Sequence, residues 1–98
     1  MPRTPIHPGD ILSGELEEMN MTARSLAEAL AVPANRLYQI LAGKRSITAD
    51  TALRLGRYFG TSANFWMNLQ VSYDLRLAEQ VAGKGLGRIQ PRRDAPAA

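Results

Sequence analysis

The chain has 98 residues, 45% of them apolar, with no cysteine and a single histidine. That suffices for one small domain with a modest core, and it excludes a disulfide framework, a cysteine zinc site and a multi-histidine metal site. The formal net charge of +3 arises wholly in residues 83–98, because residues 1–82 carry as many acidic as basic side chains, so overall basicity says little about nucleic acid.

Residues 1–6 read as an extended lead-in. The first helix is expected to start at His7 or Pro8, since proline suits the first helical turn. Its apolar stripe is Ile11, Leu12, Leu16 and Met19. Glu17 and Glu18 fall near its C-terminal end, where the helix dipole disfavours negative charge. A solvated face explains each glutamate singly. A contact surface for a basic partner is the alternative.

Thr22 is placed to cap the second helix, with Met21 and Leu26 spaced as a hydrophobic staple. Ala23, Leu26, Ala27 and Leu30 form the inner face. Ala31-Val32-Pro33 then breaks the helix. A left-handed residue is usual at such a turn, and Ala31 there costs roughly 1 kcal/mol or more. Val32 precedes a proline and is pushed to an extended conformation. Pro33 opens the third helix, whose inner side is Leu37, Ile40 and Leu41, and Gly43 ends it.

Thr48 caps a fourth helix, with Asp50 in its first turn, and Gly60 ends it. The expected inner face is Ala52, Leu53, Leu55, Tyr58 and Phe59. Thr61 or Ser62 caps a fifth helix running to about Ala82. Phe65, Trp66, Leu69, Tyr73, Leu77 and Val81 recur along it at spacings of three and four. A helix of about 20 residues is roughly 30 Å long, more than a core this small can cover. Trp66, Leu69, Tyr73, Leu77 and Val81 are therefore read as a dimer interface, the distal three packing on a second copy. Residues 83–98, rich in glycine, proline and basic side chains, read as a flexible basic tail. The expected fold is an all-α, five-helix domain over residues 7–82.

Within it, residues 22–45 have the layout of a helix-turn-helix, which presents its second helix to the DNA major groove. The outward positions are Ala34, Asn35, Tyr38 and Gln39, with Arg36 toward the flank. Asparagine and glutamine match the N7 and N6 edge of adenine. Arg36 can read guanine or hold a phosphate, and Ala34 can touch a thymine methyl. Thr22, Arg24, Lys44, Arg45 and Ser46 are candidate phosphate contacts. An ordinary helical hairpin with a solvated polar face is the competing reading.

Charge is divided along the chain. Residues 1–30 hold Arg3 and Arg24 against five acids, Asp10, Glu15, Glu17, Glu18 and Glu28. Residues 31–60 hold Arg36, Lys44, Arg45, Arg54 and Arg57 against Asp50 alone. Such asymmetry suits two different partners. His7 has no nucleophile near it in sequence, and capping before Pro8-Gly9 explains it, so no catalytic site, metal or cofactor is expected. Gly83-Lys84-Gly85 lacks the strand and spacing of a phosphate-binding loop. No apolar run approaches the roughly 20 residues of a membrane span, and residues 1–6 lack the apolar core of a secretory signal, so a soluble cytoplasmic protein is expected.

Several blocks resemble HigA-type antitoxins, the addiction-module antidotes of the Cro/C1-type (lambda-repressor-like) helix-turn-helix class. They are Ile6-His7-Pro8-Gly9-Asp10-Ile11-Leu12; Gly43-Lys44-Arg45-Ser46-Ile47-Thr48-Ala49-Asp50-Thr51-Ala52-Leu53-Arg54-Leu55; Tyr58-Phe59-Gly60-Thr61-Ser62; Phe65-Trp66-Met67-Asn68-Leu69-Gln70; and Tyr73-Asp74-Leu75-Arg76. The His-Pro-Gly opening combined with the Phe-Trp-x-Asn-Leu-Gln block is the specific part. The resemblance covers about residues 6–81. It implies a homodimer that binds a palindromic operator in its own promoter and represses its operon. It also implies a partner, a RelE-like, RNA-cleaving HigB-type toxin, which the acidic first helix (Glu15, Glu17, Glu18) is suited to meet. Ala34, Asn35, Arg36 and Gln39 carry over as groove-facing positions, and Thr22, Lys44 and Arg45 as phosphate-facing ones. Ala31 departs from the usual turn glycine, and Pro33 stands where a small polar residue is common. The alternatives are a solitary helix-turn-helix regulator without a toxin and a protein-interaction module that does not bind DNA.

Overall fold

The computed structural model describes residues 4–92. It contains five helices, α1 (Pro8–Glu18), α2 (Ala23–Leu30), α3 (Ala34–Leu41), α4 (Ala49–Phe59) and α5 (Ala63–Leu86), with no strand among the described residues. Four of the five starts are fixed by a side chain that accepts an otherwise orphaned backbone N–H. His7 Nδ1 accepts from Gly9 at 2.9 Å. Thr22 Oγ1 accepts from Ser25 at 3.0 Å and Ser62 Oγ from Phe65 at 3.1 Å. Thr48 Oγ1 accepts from Thr51 at a longer 3.4 Å. Thr61, the other candidate cap of α5, instead accepts from the Trp66 indole N–H at 3.0 Å. Helix α3 starts after Pro33 with no side-chain cap.

Each of the first four helices is followed by a left-handed residue that turns the chain: Asn20 (φ 53°), Ala31 (φ 58°), Gly43 (φ 75°) and Gly60 (φ 74°). At Ala31 the reversal is closed by two bonds, Val32 N–H to Ala27 O at 3.0 Å and Ala31 N–H to Glu28 O at 3.1 Å. This is a Schellman-type end built without glycine. The same pattern follows Asn20, where Met21 N–H reaches Leu16 O at 2.9 Å.

The core comprises Leu12, Leu16, Leu26, Ala27, Leu30, Leu37, Ile40, Ile47, Ala52, Leu55 and Trp66. Several residues expected to point inward do not. Ile11, Met19, Leu53, Tyr58 and Phe65 are exposed, Leu53 at 64%. In α4 the buried face is set by Thr51, Ala52, Leu55 and Gly56, and Leu53 lies on the far side of it. Two glycines allow close helix packing. A Cβ on Gly9 would collide with the Ile40 carbonyl oxygen, so α1 crosses the end of α3 only because Gly9 has none. A Cβ on Gly56 would stand 2.9 Å from the Thr61 carbonyl oxygen.

Only Trp66 and Gln70 of α5 are buried. From Leu77 onward every described residue is exposed, and the molecule extends 53 × 23 × 22 Å. The helix continues to Leu86, past the expected end near Ala82, through Gly83 and Gly85. Glycine weakens a helix by roughly 1 kcal/mol relative to alanine, but neither of these takes a positive φ, so the helical path is kept. Residues 83–86 thus belong to α5 and not to a flexible tail. Residues 1–3 of the lead-in and 93–98 of the tail lie outside the described residues.

Candidate nucleic-acid interface

The left-handed Ala31 and the extended Val32-Pro33 bring α3 out of the turn with its first residue at Ala34. Leu37 and Ile40 are buried, and this fixes the rotation of the helix. Asn35, Tyr38 and Gln39, spaced i, i+3 and i+4, consequently share the face turned away from the core. Asn35 and Tyr38 are exposed and Gln39 is half-buried. Ala34 is partly buried against the core, which leaves little of its methyl for a ligand. Arg36 lies to one side and is committed to α4, its Nη1 donating to Asp50 Oδ2 at 2.7 Å.

The loop after α3 is pinned at both ends. Lys44 N–H donates to Gln39 O at 2.9 Å, and Gly43 N–H donates to Ile40 O at 3.0 Å. Ile47 is buried as a plug, and its N–H donates to the side chain of Gln70 at 2.8 Å. Gln70 is 3% exposed and donates in turn to Asp74 Oδ1 at 2.9 Å. Between these anchors Lys44, Arg45 and Ser46 are exposed. Lys44 and Arg45 have no carboxylate partner among the described residues. Thr22 and Arg24 are also exposed, but the Thr22 hydroxyl is occupied. It accepts from Ser25 N–H and donates to Ser25 Oγ, both at 3.0 Å. What Thr22 leaves for an anion is the backbone at the start of α2.

A chain of polar contacts ties the turn to α4. Arg36 binds Asp50, and Arg54 Nε donates to the Asp50 carboxylate at 3.1 and 3.2 Å. Arg54 Nη1 then donates to Leu30 O at 2.8 Å, satisfying a carbonyl at the end of α2. The Arg36 hydrogen bond, followed by that of Arg54, holds the Asp50 carboxyl below the ordinary carboxylate range. Arg54, Gln70 and the bridging role of Asp50 were not singled out from the sequence. The i, i+4 spacing of Asp50 and Arg54 was a usable signal. Gln70 closes the Phe-Trp-x-Asn-Leu-Gln block, but its role has no local signal, since its partner on the loop is remote in sequence.

His7 is 8% exposed, and its ring meets Tyr73 edge-on with centroids 4.9 Å apart. The motif His7-Pro8-Gly9 is thereby accounted for as a cap, a helix opener and a close crossing. The expected dimer surface is only partly available. Trp66 is 2% exposed and packs on Phe59 and Phe65, so it belongs to the core of the single chain and offers nothing to a second copy. Leu69 and Tyr73 are half-buried, whereas Leu77 (42% exposed) and Val81 (83%) stand free. Val71, Leu75, Ala78, Ala82 and Leu86 form a second exposed stripe on the opposite side of α5. On α1, Glu15, Glu17 and Glu18 are all exposed. Glu15 and Glu18 share one side, and Glu17 lines the groove toward α2.

A short second helix, a left-handed turn and a polar-faced third helix beside a basic loop define a helix-turn-helix protein. Residues 15–66 match the helix-turn-helix family. The chain is 50% identical to an addiction module antidote protein of the HigA family from Coxiella burnetii, and the two structures agree with a TM-score of 0.89 over 91% of this chain and 99% of that one. It is 48% identical to the Pseudomonas aeruginosa antitoxin HigA, solved with the higBA promoter, at a TM-score of 0.87 over 91% and 99% of the two chains. Virulence-associated protein I of Dichelobacter nodosus is 54% identical over 76% of this chain and 70% of its own length. The chain belongs to the HigA family of helix-turn-helix antitoxins.

Proposed function

We propose that this chain is an antitoxin and autorepressor. As a dimer joined through distal α5, it binds a palindromic operator in its own promoter and neutralises a RelE-like, RNA-cleaving HigB-type toxin. The observation that carries the reading is the outward face of α3. Asn35, Tyr38 and Gln39 stand together beside the exposed Lys44 and Arg45 of a pinned loop, which have no carboxylate partner among the described residues. Asparagine and glutamine there supply paired donors and acceptors for adenine edges, and the loop cations supply sequence-independent attraction to phosphates. The Pseudomonas aeruginosa relative solved with promoter DNA shares this fold. No helix among the described residues is long and apolar enough to cross a membrane.

The toxin half of the reading rests on charge. An RNA-cleaving enzyme needs basic surface to hold its substrate, and α1 offers Glu15, Glu17 and Glu18 without a basic residue in its last turn. Two measurements test the two halves. Log affinity for the promoter duplex should fall linearly with log salt, with a slope of about −0.9 for each phosphate neutralised. A flat salt response removes the DNA reading. Glu15→Lys, Glu17→Lys and Glu18→Lys together should weaken capture of the HigB-type toxin while sparing promoter binding. Undiminished capture removes the α1 assignment.

A further inference from the structure

The end of the loop and the first turn of α4 enclose a small pocket of about 130 Å³, lined by Arg36, Arg45, Ser46, Thr48 and Thr51. Two arginines and three hydroxyl residues line one space, with no carboxylate residue in the lining among the described residues. The Thr48 hydroxyl donates to Thr51 Oγ1 at 3.4 Å, which leaves the Ser46 and Thr51 hydroxyls as donors. Arg36 reaches the pocket from α3 with its side chain 29% exposed. Its bond to Asp50 uses Nη1 and leaves the rest of a five-donor fork unspent. Asp50 is held in turn by Arg54, so the guanidinium of Arg36 is oriented by a partner that is itself anchored. Arg45 comes from the loop and has no carboxylate partner among the described residues. Paired guanidinium forks with hydroxyl donors are suited to the non-bridging oxygens of a phosphodiester.

We propose that this pocket takes a backbone phosphate of DNA between Arg36 and Arg45, that Arg36 is a phosphate contact and not a base reader, and that Asp50 is its positioning residue. The inference rests on the DNA-binding reading above and sharpens it. Sequence choice then falls to Asn35, Tyr38 and Gln39, whereas Arg36 contributes affinity shared by every duplex.

The test compares promoter duplex with a scrambled duplex of equal length across a salt series, using the full chain. The Arg45 side chain has no hydrogen bond or ion pair among the described residues, so Arg45→Ala leaves the Arg36–Asp50–Arg54 chain intact. Arg45→Ala and Arg36→Ala should each weaken both duplexes by the same factor and reduce the salt slope by about one. Arg36→Lys, which keeps the charge and loses the fork, should keep the slope and lose affinity equally on both. Asp50→Asn, which keeps the Arg36 charge and loses its anchor, should behave as Arg36→Lys does, keeping the slope and losing affinity equally on both duplexes, and the double variant should be no weaker than Arg36→Ala alone. Inorganic phosphate titrated into the free chain should shift the amide resonances of Ser46, Thr48 and Thr51 saturably, and Arg45→Ala should abolish those shifts.

Loss confined to the promoter duplex in Arg36→Ala would make Arg36 a base reader and overturn the proposal. So would additive losses in the Asp50→Asn/Arg36→Ala pair, or no phosphate response in a wild-type chain that still binds its promoter. A saturable phosphate response with unchanged DNA affinity in Arg45→Ala would overturn it too, leaving an anion site that DNA does not use. A wild-type chain that binds neither duplex defeats the DNA reading itself, and the phosphate titration distinguishes that result from failure of the pocket alone.

Discussion

Ala31 holds a left-handed backbone, φ 58° and ψ 46°, that glycine adopts more readily. The methyl group is exposed, so it returns no packing energy for the strain. Ala31→Gly should therefore stabilise the fold by about 0.5–1 kcal/mol, the relief of left-handed strain less the added freedom of the unfolded chain. Urea unfolding checks this, and a destabilised variant would contradict the account of the turn. This position was legible from sequence because its causes are local: a helix before it, a β-branched residue and a proline after it. Gly9 was not. The atom that forbids a side chain there is the Ile40 carbonyl oxygen, which only the tertiary crossing of α1 and α3 brings near. Asn20 lies between the two cases. Asparagine tolerates the left-handed region, and the structure uses it at the end of α1, but nothing in the apolar pattern marked it.

At the scale of elements, α4 does more than cover the core. Through Asp50 it fixes Arg36 of α3, and through Arg54 it caps the end of α2. Asp50 has a folded-state pKa below its ordinary value. Its contribution to stability is therefore complete above the ordinary carboxylate range and is lost as pH falls through the lowered value. Asp50→Asn should flatten part of the acid-side decline of stability, followed by thermal unfolding between neutral and acidic pH. An unchanged acid profile would contradict the clamp. Gln70 performs the corresponding task for the basic loop. Gln70→Ala leaves the buried Ile47 N–H without its acceptor, and about 1–3 kcal/mol of stability should be lost in denaturant unfolding. A neutral result would mean the loop finds another partner. Helix starts were readable because caps sit beside the turns they close. The width of each buried face was not. In an eleven-residue helix such as α4, periodicity admits Leu53 and Tyr58 to the stripe, and only packing shows that Thr51 and Gly56 are inside instead.

At the scale of the whole molecule, acidic α1 and the basic half around α3 and its loop meet in one body, and α5 leaves that body as an arm. The length of α5 was legible in outline from its apolar spacing, but its end was not, because Gly83 and Gly85 read as breakers and remain helical. The assignment of its apolar residues was not legible either, since Trp66 and Leu77 lie on one continuing stripe although one is in the core and the other is in solvent. If the arm joins two copies through the Leu77 and Val81 side, Leu77→Glu with Val81→Glu should convert a dimer to a monomer in sedimentation. Operator affinity should fall while the fold of each copy is kept. A dimer that persists would move the interface to the Val71–Leu75 side of the helix. The central claim concerns α3, and one comparison addresses it most directly: the affinity of Asn35→Ala and Gln39→Ala for the promoter duplex and for a scrambled duplex at fixed salt. The account predicts a loss of about 1–3 kcal/mol on the promoter, with relaxed base preference and little change on the scrambled duplex. Equal losses on both duplexes would contradict it.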